Sequence, residues 1–158
     1  MTGSNAVIGF PDAAASDTNP GKYYLGGKSM PLIELTDQQT LLAGSTEQNA
    51  THTVLSFTKL LTEPEEVPIN NVGANRFLVA VGSSNVWGYH QARHSFLETI
   101  SCPKTCDPTP PEAVSFDSEL LPISFAYQLD VDNATGKDVF VAEVTYEGNL
   151  RFATHCER

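Results

Sequence analysis

Positive charge is scarce in this sequence: Lys and Arg number 9 against 19 Asp and Glu, a formal net charge of −10. Nucleic-acid backbones and anionic membranes both call for a basic surface, so neither is expected as a partner. No apolar run approaches the length needed to cross a bilayer, and direct membrane insertion is not expected either. Catalytic signatures are also missing. There is no Gly-x-Ser-x-Gly elbow, phosphate loop or His-Glu-x-x-His helix. The two carboxylate-rich stretches, Glu63-Pro64-Glu65-Glu66 and Asp130-Val131-Asp132, read as solvated loops rather than an acid/base pair. Cysteine is sparse, at three residues with a spacing unsuited to zinc. An enzyme is not expected.

What remains is a chain of 158 residues with a 41% apolar content, enough for one globular domain with its own core. Short runs rich in Val, Ile, Leu, Phe and Tyr recur along it. They predict strands over Asn5–Phe10, Tyr23–Leu25, Gln39–Ala43, His52–Phe57, Phe77–Gly82, Ser95–Ile100, Leu120–Val131, Asp138–Tyr146 and Asn149–Ala153. Turn clusters such as Pro20-Gly21, Gly26-Gly27 and Asn70-Asn71-Val72-Gly73 separate them. In HTVLSFTKL, Val54, Ser56 and Thr58 alternate with Leu55, Phe57 and Lys59, the period of a half-buried strand. Tyr146-Glu147-Gly148-Asn149 reads as a tight hairpin. No stretch sustains a helical period. The fold class is therefore all-β, a sandwich or barrel.

One linker stands out. Residues 102–114, CPKTCDPTPPEAV, hold Pro103, Pro108, Pro110 and Pro111, which favour an extended, stiff path and cannot occupy a central strand. The linker divides a single domain, 1–158, into a front part, 1–101, and a back part, 115–158. The back part has too few strands to close a core alone.

Two features suggest an extracellular, secreted protein. Asn49-Ala-Thr51 and Asn133-Ala-Thr135 match the N-glycosylation acceptor pattern. Cys102, Cys106 and Cys156 are disulfide candidates, with Cys102 and Cys106 flanking a Pro-containing loop. The odd count leaves one thiol free or paired between chains. Met1 is followed by neither a basic region nor an apolar core of a signal peptide. A processed chain, or one cut from something longer, is expected.

Four stretches, MTGSNAVIGF, KYYLGG, QQTLLAGSTEQNATHTVLSFTKLL and FLVAVGSSNVWGYHQARHSF, resemble the latter two thirds of a DOMON domain. This is the immunoglobulin-like antiparallel β-sandwich module of the dopamine beta-monooxygenase N-terminal region and the cellobiose dehydrogenase cytochrome. Met-x-Gly-Ser at the start and Ala-x-Gly-Ser…Gly-Tyr-His-x-x-Arg are the most specific pieces. The family's opening strands resemble Leu121–Arg158, with Gly-Asn-Leu-Arg-Phe-Ala in place of the usual Gly-Trp-Leu-Gly-Phe-Ala strand. The strand order is thus permuted. A circular permutant, a register-shifted unit of a tandem array and a piece cut across two domains would each produce it.

The resemblance implies a function. Haem-binding members hold haem b between a Met sulfur, matched by Met1, and a His nitrogen, matched by His90, and transfer electrons to a redox partner protein. Two strong side-chain ligands leave no open site on the iron, and a thioether favours Fe(II). No Cys-x-x-Cys-His occurs, so covalent attachment is not expected. His94 is the alternative to His90. Trp87 and Tyr89 are candidate pocket walls or core residues, and Arg93 and Lys28 candidate partners of the haem propionates. Met30 reads as packing, and His52 and His155 as surface residues. The other reading is a non-haem DOMON module that binds carbohydrate or neighbouring copies as a building block of an extracellular array.

Overall fold

The computed structural model describes residues 3–12, 19–85, 87–101, 112–118, 121–147 and 151–157. Met1, Cys102 and Cys106 lie outside them. Of Met30 and Cys156 only the backbone is described.

Eleven strands run through the described chain: β1 (Ser4–Ile8), β2 (Gly21–Leu25), β3 (Ile33–Leu35), β4 (Ala43–Gln48), β5 (His52–Leu60), β6 (Val72–Gly82), β7 (His90–Ser101), β8 (Glu112–Ser118), β9 (Leu121–Val131), β10 (Asp138–Glu147) and β11 (Arg151–Glu157). A single 3-10 turn, Met30–Leu32, is the one helical piece among the described residues. The strands form two sheets, ordered β3-β2-β1-β11-β6-β7 and β4-β5-β10-β9-β8. Every pairing is antiparallel. The all-β expectation holds.

The alternation in β5 shows how the sheets come together. Thr53, Leu55, Phe57 and Lys59 are buried while their neighbours are half-exposed, because successive side chains in a strand point to opposite faces. Leu55 and Phe57 meet Phe125, Phe140, Ala142 and Val144 of their own sheet and Val7, Phe77, Val79 and Val81 of the other. Phe77 stacks on Phe140 at 5.6 Å between ring centroids, bridging the two layers. A second, smaller cluster of Ala6, Ile8 and Tyr23, with Phe10, Leu25 and Ile33 against it, lies apart from this intersheet core.

Several expectations need correction. Gln39–Leu42 is not a strand. The Gln39 amide instead accepts from the Lys22 N–H at 2.8 Å and donates to the Lys22 carbonyl at 2.9 Å, occupying the place of a neighbouring strand. The strand begins only at Ala43. The short edge strand Ile33–Leu35 went unforeseen, since three residues carry no readable period. The linker ends sooner than its composition suggests: Glu112, Ala113 and Val114 already belong to β8. Tyr146 to Asn149 does not close a hairpin of paired strands. β10 belongs to one sheet and β11 to the other, so the chain crosses between layers there.

β11 sits between β1 and β6. Asn5 faces Cys156 and Ile8 faces Ala153 on one side, while Phe77 faces Cys156 and Gly82 faces Arg151 on the other. The first and last strands are therefore hydrogen-bonded neighbours, and residues 112–157 supply strands to both sheets.

Candidate functional site

His90 opens β7 opposite Gly82, next to an irregularity in the β6–β7 register. Burial, and then the charge of Arg93, hold its imidazole below the ordinary histidine value. Tyr89 stacks on it at 5.1 Å and is 77% exposed. Asn85, in the same turn, donates to Gln48 at 3.2 Å, which ties this end of the sandwich to the β4–β5 turn. His94 lies four residues along β7, opposite Val79, and stacks near Phe96.

Of its two expected roles, pocket wall or core, Trp87 takes the packing one. It packs on Phe10 at 5.0 Å and on Tyr23 at 5.1 Å, covering the smaller apolar cluster. Lys28 is exposed in the turn after β2, which starts from Leu25, the partner of Ser4. The rungs Ser4–Leu25 and Gly82–His90 belong to opposite ends of the sheet, so Lys28 and Arg93 do not share a site.

The same register bears on the proposed haem ligands. Asn5, Cys156, Phe77 and Phe96 lie on one rung, and Ile8, Ala153, Ala80 and Arg93 on another. The chain thus enters β1 at the end remote from His90. From Phe96 to His90 is about 20 Å along the strand, and from β1 to β7 about 14 Å across three strand spacings. Met1, the expected partner of His90 on a haem iron, lies outside the described residues. Among the described residues, no three His, Cys, Asp or Glu side chains converge to hold a metal ion.

The most tightly built cluster was not expected. Lys22 projects inward from β2 and Lys59 from β5, one from each sheet, and both are buried. Glu63 and Glu66, in the β5–β6 loop, meet them. Lys22 Nζ lies 2.7 Å from Glu63 Oε2 and also contacts Glu66; Lys59 Nζ lies 3.3 Å from Glu63 and 2.7 Å from Glu66. The Thr40 hydroxyl accepts from Lys22 at 2.7 Å and donates to Glu63. Burial alone would raise the Glu63 carboxyl. The hydrogen bonds from Lys22 and Thr40 and the two ammonium charges outweigh it and hold the group below its ordinary value.

The Glu63–Glu66 stretch is therefore no solvated loop. The Glu63 and Glu66 carboxylates plug the sandwich, with Leu61, Val67 and Ile69 buried beside them, while Pro64 and Glu65 are exposed. A cavity of about 40 Å³ adjoins the cluster, lined mainly by apolar side chains including Val7, Phe57 and Phe140. Lys59 shares its inward parity with Leu55 and Phe57, and that was the readable sign of a buried charge. Asp130 and Asp132, by contrast, sit at the β9–β10 turn. Hydrogen bonds from Thr135 and the Ala134 N–H lower the Asp132 carboxyl there.

Both sequons occupy turns. Asn49 is exposed between β4 and β5, and its side-chain oxygen accepts from the Thr51 N–H and hydroxyl and the His52 N–H. His52 is half-buried, beside the Thr51 hydroxyl at 2.7 Å. Asn133 is exposed between β9 and β10. The His155 backbone lies in β11 opposite Ala6 and Leu78.

Compared with models of protein families, with curated proteins and with solved structures, the chain finds no match.

Proposed function

We propose that this chain is a non-catalytic, extracellular β-sandwich module of the DOMON type, in permuted or tandem order, that serves as a building block among neighbouring copies. The observation that carries this reading is the position of β11 between β1 and β6. The last described strand completes, through backbone ladders, the sheet to which the first strand belongs. Acidic charge and two exposed sequons suit an extracellular surface.

A b-type cytochrome is the second reading. One observation favours it: burial, and secondarily Arg93, shift His90 toward its neutral form, and neutral imidazole is the form that ligates iron.

Light scattering across a concentration series, together with haem titration, separates the two. The building-block reading expects a mass that grows with concentration and no Soret band of bound, two-ligand haem. A monomer at every concentration that takes up haem stoichiometrically would overturn it in favour of the cytochrome.

A further inference from the structure

We infer that the outer edge of β7 binds an extended peptide as an added strand of the six-stranded sheet. This goes beyond the building-block reading and does not depend on it. β7 ends its sheet, and among the described residues no strand lies beyond it. It runs for 12 residues, whereas β3, at the other end of the same sheet, has 3. From Ala92 onward its pairing with β6 is regular. Long regular edges invite pairing, and proteins blunt them with lysine, proline or a short strand. β7 contains neither lysine nor proline, and its Leu97 is 62% exposed.

The other sheet supplies a shelf beneath this edge. The Tyr127 hydroxyl donates to Glu98 at 3.0 Å, and Phe96 meets Phe125 edge-on at 5.3 Å, so β7 lies over β9. One strand inward, Phe77 of β6 stacks on Phe140 of β10. β8 follows β9 on the side away from β10 and therefore runs about 5 Å, one strand spacing, beyond β7. A strand added to β7 would lie over β8. Solvent reaches this side of the core: Phe96, Tyr127 and Leu129 are only partly buried, while Phe77, Phe125 and Phe140 are fully so.

The shelf is one strand wide, and that selects the occupant. An antiparallel β7–β7 pairing of two copies, with both sandwiches on the same side, would set the second copy's β9 where β8 already lies. A whole second sandwich does not fit there, but a lone strand does. Along β7, Gln91, Arg93, Ser95, Leu97 and Thr99 are exposed on the outer face, while Phe96 and Glu98 turn to the other sheet. Directly opposed residues of an antiparallel pair share a face. The peptide that fits therefore alternates, with small apolar residues toward β8 and polar ones outward. An acidic residue opposite Arg93 and an aromatic one opposite Leu97 complement the outer face. Main-chain bonds supply the hold, and these positions the selectivity.

The test uses the full chain, isotopically labelled, and a peptide blocked at both ends, Thr-Val-Tyr-Val-Thr-Val-Glu-Val-Thr, written to run antiparallel from Thr99 to Gln91. NMR of the free chain should show every second β7 amide exchanging freely, because β6 holds only the intervening ones. Peptide at millimolar concentration should shift the β7 resonances and slow those open amides. Of two peptides N-methylated at alternate residues, along one edge or along the other, one should bind and the other should not. Leu97→Lys and Arg93→Glu, both at exposed positions, should each weaken binding about fivefold.

Protection of all β7 amides in the free chain would mean that the edge is already covered and would overturn the proposal. So would peptide shifts centred away from β7, equal binding of both methylated peptides, or no shift at all. A doubled mass that Leu97→Lys abolishes would overturn it in favour of a second copy on this edge.

Discussion

Lys22 and Lys59 enter the interior from opposite sheets and share the carboxylates of Glu63 and Glu66. Removing one carboxylate leaves buried charge without its partner, which costs far more than an exposed pair is worth. Glu63→Gln should therefore destabilise the fold by about 3–5 kcal/mol. Replacing Lys22 and Glu63 together by apolar residues of similar volume should cost much less. Urea unfolding of the three proteins measures both, and equal losses would show that the charges do not act as a unit.

The same cluster sets an acid limit. The folded value of Glu63 lies below its ordinary 4.5, so the stabilisation it provides is complete above that pH and fades as pH falls through the folded value. The part of the unfolding free energy that Glu63→Gln removes should stay level from pH 6 to about pH 5 and then decline, as the unfolded carboxyl takes up its proton first. Glu63→Gln should flatten that part of the curve.

His90 should titrate below 6.5, mainly because it is half-buried and secondarily because of Arg93. Here the unfolded state binds the proton more readily, so this group lowers stability as pH falls below about 6.5. NMR titration of the imidazole should give the low midpoint, and Arg93→Ala should raise it only part of the way. A full return to 6.5 would assign the shift to charge rather than to burial.

Gly9, just after β1, lies directly against the Thr46 side chain of β4 in the other sheet. A Cβ added there would fall 3.0 Å from Thr46 Cβ and Cγ2 and closer still to the hydroxyl. Gly9→Ala should therefore cost about 1–3 kcal/mol by overpacking. Thr46→Ala in the same chain should recover part of it, since it removes two of the three crowded atoms. Thermal unfolding of the single and double variants is the check.

Asn49 and Asn133 stand on exposed turns at the ends of β4 and β9. Expressed through a eukaryotic secretory pathway, both should carry glycans without disturbing the sandwich. Mass spectrometry before and after enzymatic release reads the occupancy. Asn49→Gln and Asn133→Gln should each remove one glycan.

Alternation made β5, β9 and β10 legible in the sequence, because an apolar residue at every second position reports one buried face regardless of what covers it. The same alternation carried the sign of the ion cluster, in a lysine at the parity of Leu55 and Phe57. Composition likewise marked the all-β class. Tertiary structure alone decided what pairs with what. Nothing near Tyr146 says that β10 and β11 part into different sheets, and nothing near Gln39 says that its amide will stand in for a strand beside Lys22. His90 matches a haem ligand by residue type, yet only antiparallel register decides that it stands at the end remote from the start of β1. Residue type and spacing are local properties of the chain. Which strand lies beside which is set by the burial and hydrogen bonding of segments far apart in sequence, and β11 between β1 and β6 is the arrangement that satisfies both edges at once.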